Sequence, residues 1–239
     1  MKRLPLLIVG LVIVGCTATQ IAQTVTEAEK AMEGTTAPTT SEVNAGLKEA
    51  LTRGIMNGAD LVSKTDGYFG NPAIKIPFPP DVKKVEDRLR QIGMGNEVDN
   101  FILAMNRGAE AAAKEAKPVF QNAITNMTID DAWGILKGSQ NAATQYLQRT
   151  TGSQLKEKFK PHVQQALDQV SATRYYGDLV TVYNKIPFVE KVNPDLTDYA
   201  TTQAIQGLFV MIAEEEKKIR DNPAERTTDL LKKVFAYQK

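Results

Sequence analysis

From residue 41 onward the apolar positions recur three and four apart, the spacing of a helix that buries one face. "SEVNAGLKEALTRGIMNGADLVS" places Val43, Leu47, Leu51, Ile55, Ala59 and Val62 on one stripe, with Ser41 as the expected N-cap. "PPDVKKVEDRLRQIGMG" repeats the pattern with Val82, Val85, Leu89 and Ile92, opened by Pro80 and stopped by Gly93 or Gly95. "NEVDNFILAMNRGAEAAAKEAK" carries Val98, Phe101, Met105, Ala109, Ala112 and Ala116, and Pro118 is expected to open the next helix. In "TIDDAWGILKG", Thr128 precedes Asp131 by three residues, a capping box, and Gly138 is the stop. Short helices are expected near 140–150, 153–171 and 174–184. A long one follows the cap Asn193-Pro194 and runs to about Arg220, carrying Leu196, Tyr199, Ile205, Leu208, Phe209 and Ile212. "TTDLLKKVF" is the last. Alternating β-branched runs are few, so the fold class is all-α, a multi-helix bundle.

Two connectors interrupt the periodicity. "KIPF" occurs at Lys75-Ile76-Pro77-Phe78 and again at Lys185-Ile186-Pro187-Phe188. Proline drives the residue before it out of the helical region, so both read as short extended segments. Their flanks align poorly, which favours chance and shared architecture over a duplicated half-domain. Side by side they would form a two-stranded ribbon with Ile and Phe inward.

The N-terminus has a different pattern. Lys2 and Arg3 precede an apolar run, Leu4 to Val14, too short for the roughly 20 helical residues of a membrane span. Its length suits a signal peptide. The run ends Ile13-Val14-Gly15-Cys16, and Cys16 is the sole cysteine. Basic start, apolar run, small residue and Cys in that order resemble the lipobox of bacterial lipoproteins. The resemblance implies a signal peptide at 1–15, cleavage before Cys16, and acylation of its sulfur and amine. Each buried methylene contributes about 0.8 kcal/mol, so two or more chains, palmitate among them, anchor firmly. An ordinary signal peptide or a buried thiol are the competing readings. Thr17, not Asp, follows the Cys; by the same resemblance this implies the outer membrane, facing the periplasm. Residues 16–40, rich in Thr, Ala and Gln, read as a lipidated Cys and a flexible tether, and 41–239 as a single helical domain.

Charge narrows the partners. The chain has 29 basic and 28 acidic residues, and losing Lys2 and Arg3 with the signal peptide keeps it near neutral. A near-neutral surface argues against nucleic acid. With Cys16 acylated no thiol is left for a disulfide or a thiolate metal site.

Few residues suggest chemistry. His162 is the only histidine and lies off the stripe of Val163, Ala166, Leu167 and Val170, so it is expected to face solvent. One histidine makes no histidine-rich metal site, and no cofactor motif is present. "MNRGAE" stands out. Asn106 and Glu110 share a stripe with Ile102 and Ala113, beside Arg107, among small residues that let another helix approach. Buried polar groups there need partners, expected in Glu214, Glu215, Arg220, Arg226 or Asp229. A pocket for a ligand or for hydrolase-type acid–base chemistry is one reading; a structural network that fixes helix register is the other. Glu214–Lys218 and Glu216–Arg220 have the spacing of ion pairs on a solvated face. Tyr175, Tyr176, Tyr183, Phe188, Tyr199 and Phe209 crowd the C-terminal half and read as core, or as the lining of an apolar-ligand carrier.

The strings "SKTDGYFGNPAIKIPFP", "MNRGAE", "AKPVFQNAI", "YNKIPFV" and "GLFVMIAEEEKKIRDNPAERTTDLLKKVF" resemble a family of helical bacterial envelope proteins catalogued as a domain of unknown function. The resemblance spans residues 43–236 and implies an all-helical fold and an exported location, with no activity to carry over. The family pattern has Ala where Gly108 stands, a departure that implies a looser helix here. The expectation is a lipid-anchored protein acting by binding an envelope protein or ligand, not an enzyme.

Overall fold

The computed structural model describes residues 37–169, 176–177, 181, 184–185, 187–188, 191–193 and 195–238. Cys16, most of the expected 174–184 helix, Tyr175 and Tyr183 lie outside them. Among the described residues there are eight α-helices, two 3-10 turns at Pro80–Val82 and Pro223–Glu225, and no strand. The fold is an all-α multi-helix bundle.

α1 spans Thr40–Val62 and buries Val43, Leu47, Leu51, Ile55, Ala59 and Val62, as its spacing predicts. Its cap is Thr39, not Ser41. The Thr39 hydroxyl accepts from the Glu42 N–H, and the Glu42 carboxylate accepts from the Thr39 N–H. That reciprocal box satisfies two amides, which Ser41, already the second residue of the helix, could not do. α2 spans Lys83–Gln91 and stops at Gly93 in the left-handed region (φ 89°), leaving Ile92 beyond the stripe and exposed. α3, Gly95–Ala113, buries Val98, Met105, Ala109 and Ala112. α4, Ala116–Thr125, begins two residues before Pro118, which its first turn tolerates. α5, Ile129–Leu136, has the expected Thr128–Asp131 box.

α6 is one helix, Ala142–Gln169, where two short ones were expected. Gly152 and Pro161 both lie inside it. The breakers lose to tertiary packing: Leu147, Leu155, Phe159, Val163 and Leu167 are fully buried along its length. α7 spans Leu196–Asp221, with the Asp195 carboxylate accepting from the Asp198 N–H. The cap is therefore Asp195 rather than Asn193-Pro194. α8, Asp229–Phe235, closes the chain.

α7 is the central helix. It packs on α1 and α6 and touches α3, while α3 lies along α6 and α8 lies on α1. The ribbon of paired KIPF segments does not form among the described residues. Ile76 and Phe78 are buried, but Phe188 is fully exposed.

Candidate functional site

The irregular segment after α1 is bent back at once. A Cβ on Gly67 would sit 2.6 Å from the carbonyl oxygens of Leu61 and Val62, so only glycine allows the turn. Asp66 beside it takes φ 65°, the left-handed region. The chain then crosses between α3 and α7, inserting Tyr68, Ile74, Ile76 and Phe78 into the core. The Tyr68 hydroxyl donates to the Ala204 carbonyl of α7 at 2.6 Å. α7 makes room with Gly207, where a Cβ would meet the Tyr68 ring at 2.7 Å.

α3 holds the same segment with two buried polar side chains. Asn106 Oδ1 accepts from the Ile76 N–H at 2.9 Å, and Asn106 Nδ2 donates to the Ile76 carbonyl at 2.9 Å and the Ile102 carbonyl at 2.8 Å. Glu110 Oε1 accepts from the N–H groups of Tyr68 and Phe69, both at 3.2 Å. Its Oε2 accepts from Arg107 Nη1 at 2.6 Å, and Arg107 Nη2 reaches Asp66 Oδ1 at 2.8 Å. Burial, and next to it the Glu110 charge, push the Tyr68 hydroxyl well above the usual phenol range. The Phe69 ring has the Lys75 ammonium at 4.0 Å and the Arg107 guanidinium at 5.8 Å.

The partners of Glu110 are thus not those expected. Glu214, Glu215, Arg220, Arg226 and Asp229 make no hydrogen bond to it; two backbone amides and Arg107 do. Periodicity flags a polar residue on a buried stripe but says nothing about which irregular backbone will meet it.

The C-terminal charges form a second arrangement. Glu216 and Arg220 are buried, not solvated. Glu216 accepts from the N–H groups of Ala143 and Thr144 at 3.0 and 2.9 Å, at the start of α6. Arg220 Nε donates to Glu216 at 2.9 Å, and its Nη2 donates to the Ile135 carbonyl at 2.8 Å, at the end of α5. One ion pair on α7 therefore satisfies the orphan amides of one helix and an orphan carbonyl of another. Burial on several sides of α7 hid this from a two-sided reading of "AEEEKKIR". Arg226 donates to the carbonyls of Ile219 and Arg220, where α7 ends. Burial lowers its guanidinium from the usual range. Glu215 pairs with Lys218, in place of the expected Glu214, which is exposed. Asp229 pairs with Lys232.

His162 is half-exposed, 3.9 Å from Glu115. Phe209 packs edge-on against Phe120 at 5.8 Å, and the Tyr199 hydroxyl donates to the Pro77 carbonyl at 3.3 Å. Burial raises Tyr199 and Tyr176 to about 12. An apolar cavity of about 20 Å³ lies between α1 and α7, the room of roughly one water, and none of the aromatics named from the sequence lines it. Among the described residues no helix is long and apolar enough to cross a membrane, and no group of three or more His, Cys, Asp or Glu is placed to hold a metal ion.

The clamped segment also borders solvent. An open groove of about 740 Å³ runs along Pro72, Lys75, Pro77, Phe78 and Pro80, with Ile102 of α3 and Lys83 and Glu86 of α2 on its other wall. Sequence reasoning missed it, although four prolines within nine residues, at 72, 77, 79 and 80, were the available signal.

Gly108, expected from the sequence to loosen α3, has a packing role. A Cβ there would lie 3.0 Å from Val163 Cα and 3.1 Å from Ala166 Cβ, so the glycine brings α3 close to α6 rather than loosening α3.

No curated protein and no solved structure matches the chain. The profile of one family, Protein of unknown function (DUF4197), matches residues 37–236, from the residue before the buried Pro38 to the end of α8. The chain belongs to that family.

Proposed function

We propose that this protein is a lipid-anchored, periplasm-facing module of the bacterial cell envelope that acts by binding rather than by catalysis. The observation that carries the binding reading is how the buried carboxylates are used. Glu110 and Glu216 each accept from two backbone amides and from an arginine. Both are clamps: one fixes an irregular segment against α3, the other joins two helix ends. A loop held in one shape on a rigid scaffold is how binding surfaces are commonly presented.

The anchor rests on the order Lys2-Arg3, apolar run, Gly15, Cys16. Acyl chains on Cys16 hold the domain at a membrane without a spanning helix. Thr17 and the lack of an acidic run after it favour the outer membrane and its periplasmic face.

The test is expression of the full chain in a Gram-negative host, followed by fractionation and intact-mass analysis. A chain starting at a diacylglyceryl Cys16 in the outer-membrane fraction is the expected result, with Cys16→Ala released from it. An unmodified thiol in a chain that retains residues 1–15 overturns the anchor. Capture of envelope components by the lipidated form then tests binding itself.

A further inference from the structure

We propose that the groove along Pro72–Pro80 docks an extended acidic peptide segment, with an apolar side chain on the proline wall and its neighbouring carboxylate on Lys75. This rests on the reading of the protein as a binding module and names what that module takes.

The walls decide the mode of recognition. Pro72, Pro77 and Pro80 have no N–H, both backbone groups of Ile76 are used by Asn106, and the Pro77 carbonyl accepts from Tyr199. The prolines and these bonds interrupt the alternating row of donors and acceptors that strand addition needs. What remains is apolar: three pyrrolidine rings, Phe78 and Ile102. A partner is held there through a side chain, not through its main chain.

The charges decide its sign. Lys83 is paired with Glu86 and Asp87, Glu86 also with Arg90, and Arg107 with Glu110 and Asp66. Lys75 makes no ion pair among the described residues; its ammonium rests 4.0 Å above the Phe69 ring. An exposed cation next to an apolar wall, with the charges of Lys83, Glu86 and Arg107 already matched, complements a single carboxylate.

The shape favours a peptide. The groove is open to solvent, whereas small ligands are mostly enclosed. Anionic lipid would need a cluster of basic residues. Here Lys75 is one charge, and the acidic Asp81 and Asp87 lie near it in the chain. The clamps on Ile76, Tyr68 and Phe69 hold the wall in place before any partner arrives, which lowers the ordering cost of binding.

The test is selection from a random heptapeptide display library against the full chain, followed by affinity measurements on the selected peptides. The expected peptides carry Asp or Glu beside an aromatic or aliphatic residue. Lys75→Glu weakens them roughly tenfold. Changing the peptide's acid to its amide weakens them similarly, and Lys158→Glu on exposed α6, which alters net charge equally, does not. Lys75 is exposed, so its variants keep the wild-type melting temperature. Peptides without an acid, equal binding by Lys75→Glu, or no selection above background overturns the proposal. So does Lys75-dependent sedimentation with phosphatidylglycerol vesicles in place of peptide binding. If wild type and Lys75→Glu capture the same envelope components, the groove falls while the binding module stands.

Discussion

Asn106 pairs with both backbone groups of Ile76, accepting its N–H and donating to its carbonyl, each at 2.9 Å. A side-chain amide here imitates the edge of a neighbouring peptide and so completes a segment that has no strand beside it. Asn106→Ala leaves two buried backbone groups unpaired. It should lower stability by about 2–4 kcal/mol, a fall in Tm of roughly 5–15 °C. Asn106→Asp should cost more, because its carboxylate would face the carbonyls of Ile76 and Ile102. Urea denaturation at neutral pH checks both; an Asp variant as stable as wild type contradicts the pairing.

Glu110 differs from Asn106 in carrying charge, so the two variants Glu110→Gln and Glu110→Ala should separate. Gln keeps one acceptor for the amides of Tyr68 and Phe69 but loses the ion pair with Arg107. Ala leaves the two amides without an acceptor and Arg107 with Asp66 alone. About 1–3 kcal/mol is expected for Gln and about 3–5 kcal/mol for Ala. Amide exchange at Tyr68 and Phe69 should speed up in both before the rest of the chain responds. Unchanged exchange at those two amides would falsify the clamp.

The sequence flagged Asn106 and Glu110 because polar residues on an apolar stripe among small neighbours must find partners. It could not say which. The partners are backbone groups of a segment without periodicity, and backbone groups look alike in every sequence. Gly67 and the prolines of 72–80 mark that segment as irregular, but its docking depends on Gly207, far along the chain. Local rules succeeded where the interaction is local, as in the Thr128–Asp131 box. They failed at Gly152, where a break was expected between 150 and 153 and burial of Leu147 and Leu155 on either side outweighs the glycine. They failed again at Glu216–Arg220, since spacing alone cannot distinguish a solvated pair from a buried one.

That buried pair supports a double-mutant test. Glu216→Gln strands the Arg220 guanidinium, and Arg220→Met strands the Glu216 carboxylate. Each should cost about 3–5 kcal/mol. Glu216→Gln combined with Arg220→Met should lose less than the sum, by at least about 1 kcal/mol. Strict additivity in denaturant titrations would mean that the two residues act separately on α5 and α6.

Two glycines should respond oppositely to alanine. In α6, Gly152 has nothing within 4 Å of its would-be Cβ. Gly152→Ala should therefore stabilise by about 0.5–1 kcal/mol through helix propensity alone. Gly108→Ala gains the same propensity but pushes a methyl group to 3.0 Å from the Val163 backbone. Overpacking costs about 1–3 kcal/mol, so the net effect should be destabilising. Thermal melts of the two variants check the sign of each; a stabilising Gly108→Ala would mean that α3 and α6 can separate at little cost.

Glu42 ties the start of α1 to α8, and the tie should fail in acid. Its Oε1 accepts from Lys233 Nζ at 2.7 Å and its Oε2 from the Thr39 N–H at 2.7 Å. The Lys233 hydrogen bond first, then those of Thr39, hold its carboxyl at about 2, below the ordinary 4.5. A carboxyl with a lower value folded than unfolded takes up its proton more readily in the unfolded chain. Its contribution to stability is therefore complete above about 4.5 and disappears as pH falls through about 2. Glu42→Gln keeps a side chain that can complete the capping box but removes the charge. The Tm difference between wild type and this variant should stay constant from neutral pH down to about 5, then close as pH falls towards 2. A difference that persists undiminished at pH 2, or that appears only there, means the Glu42 charge is not what joins α8 to α1.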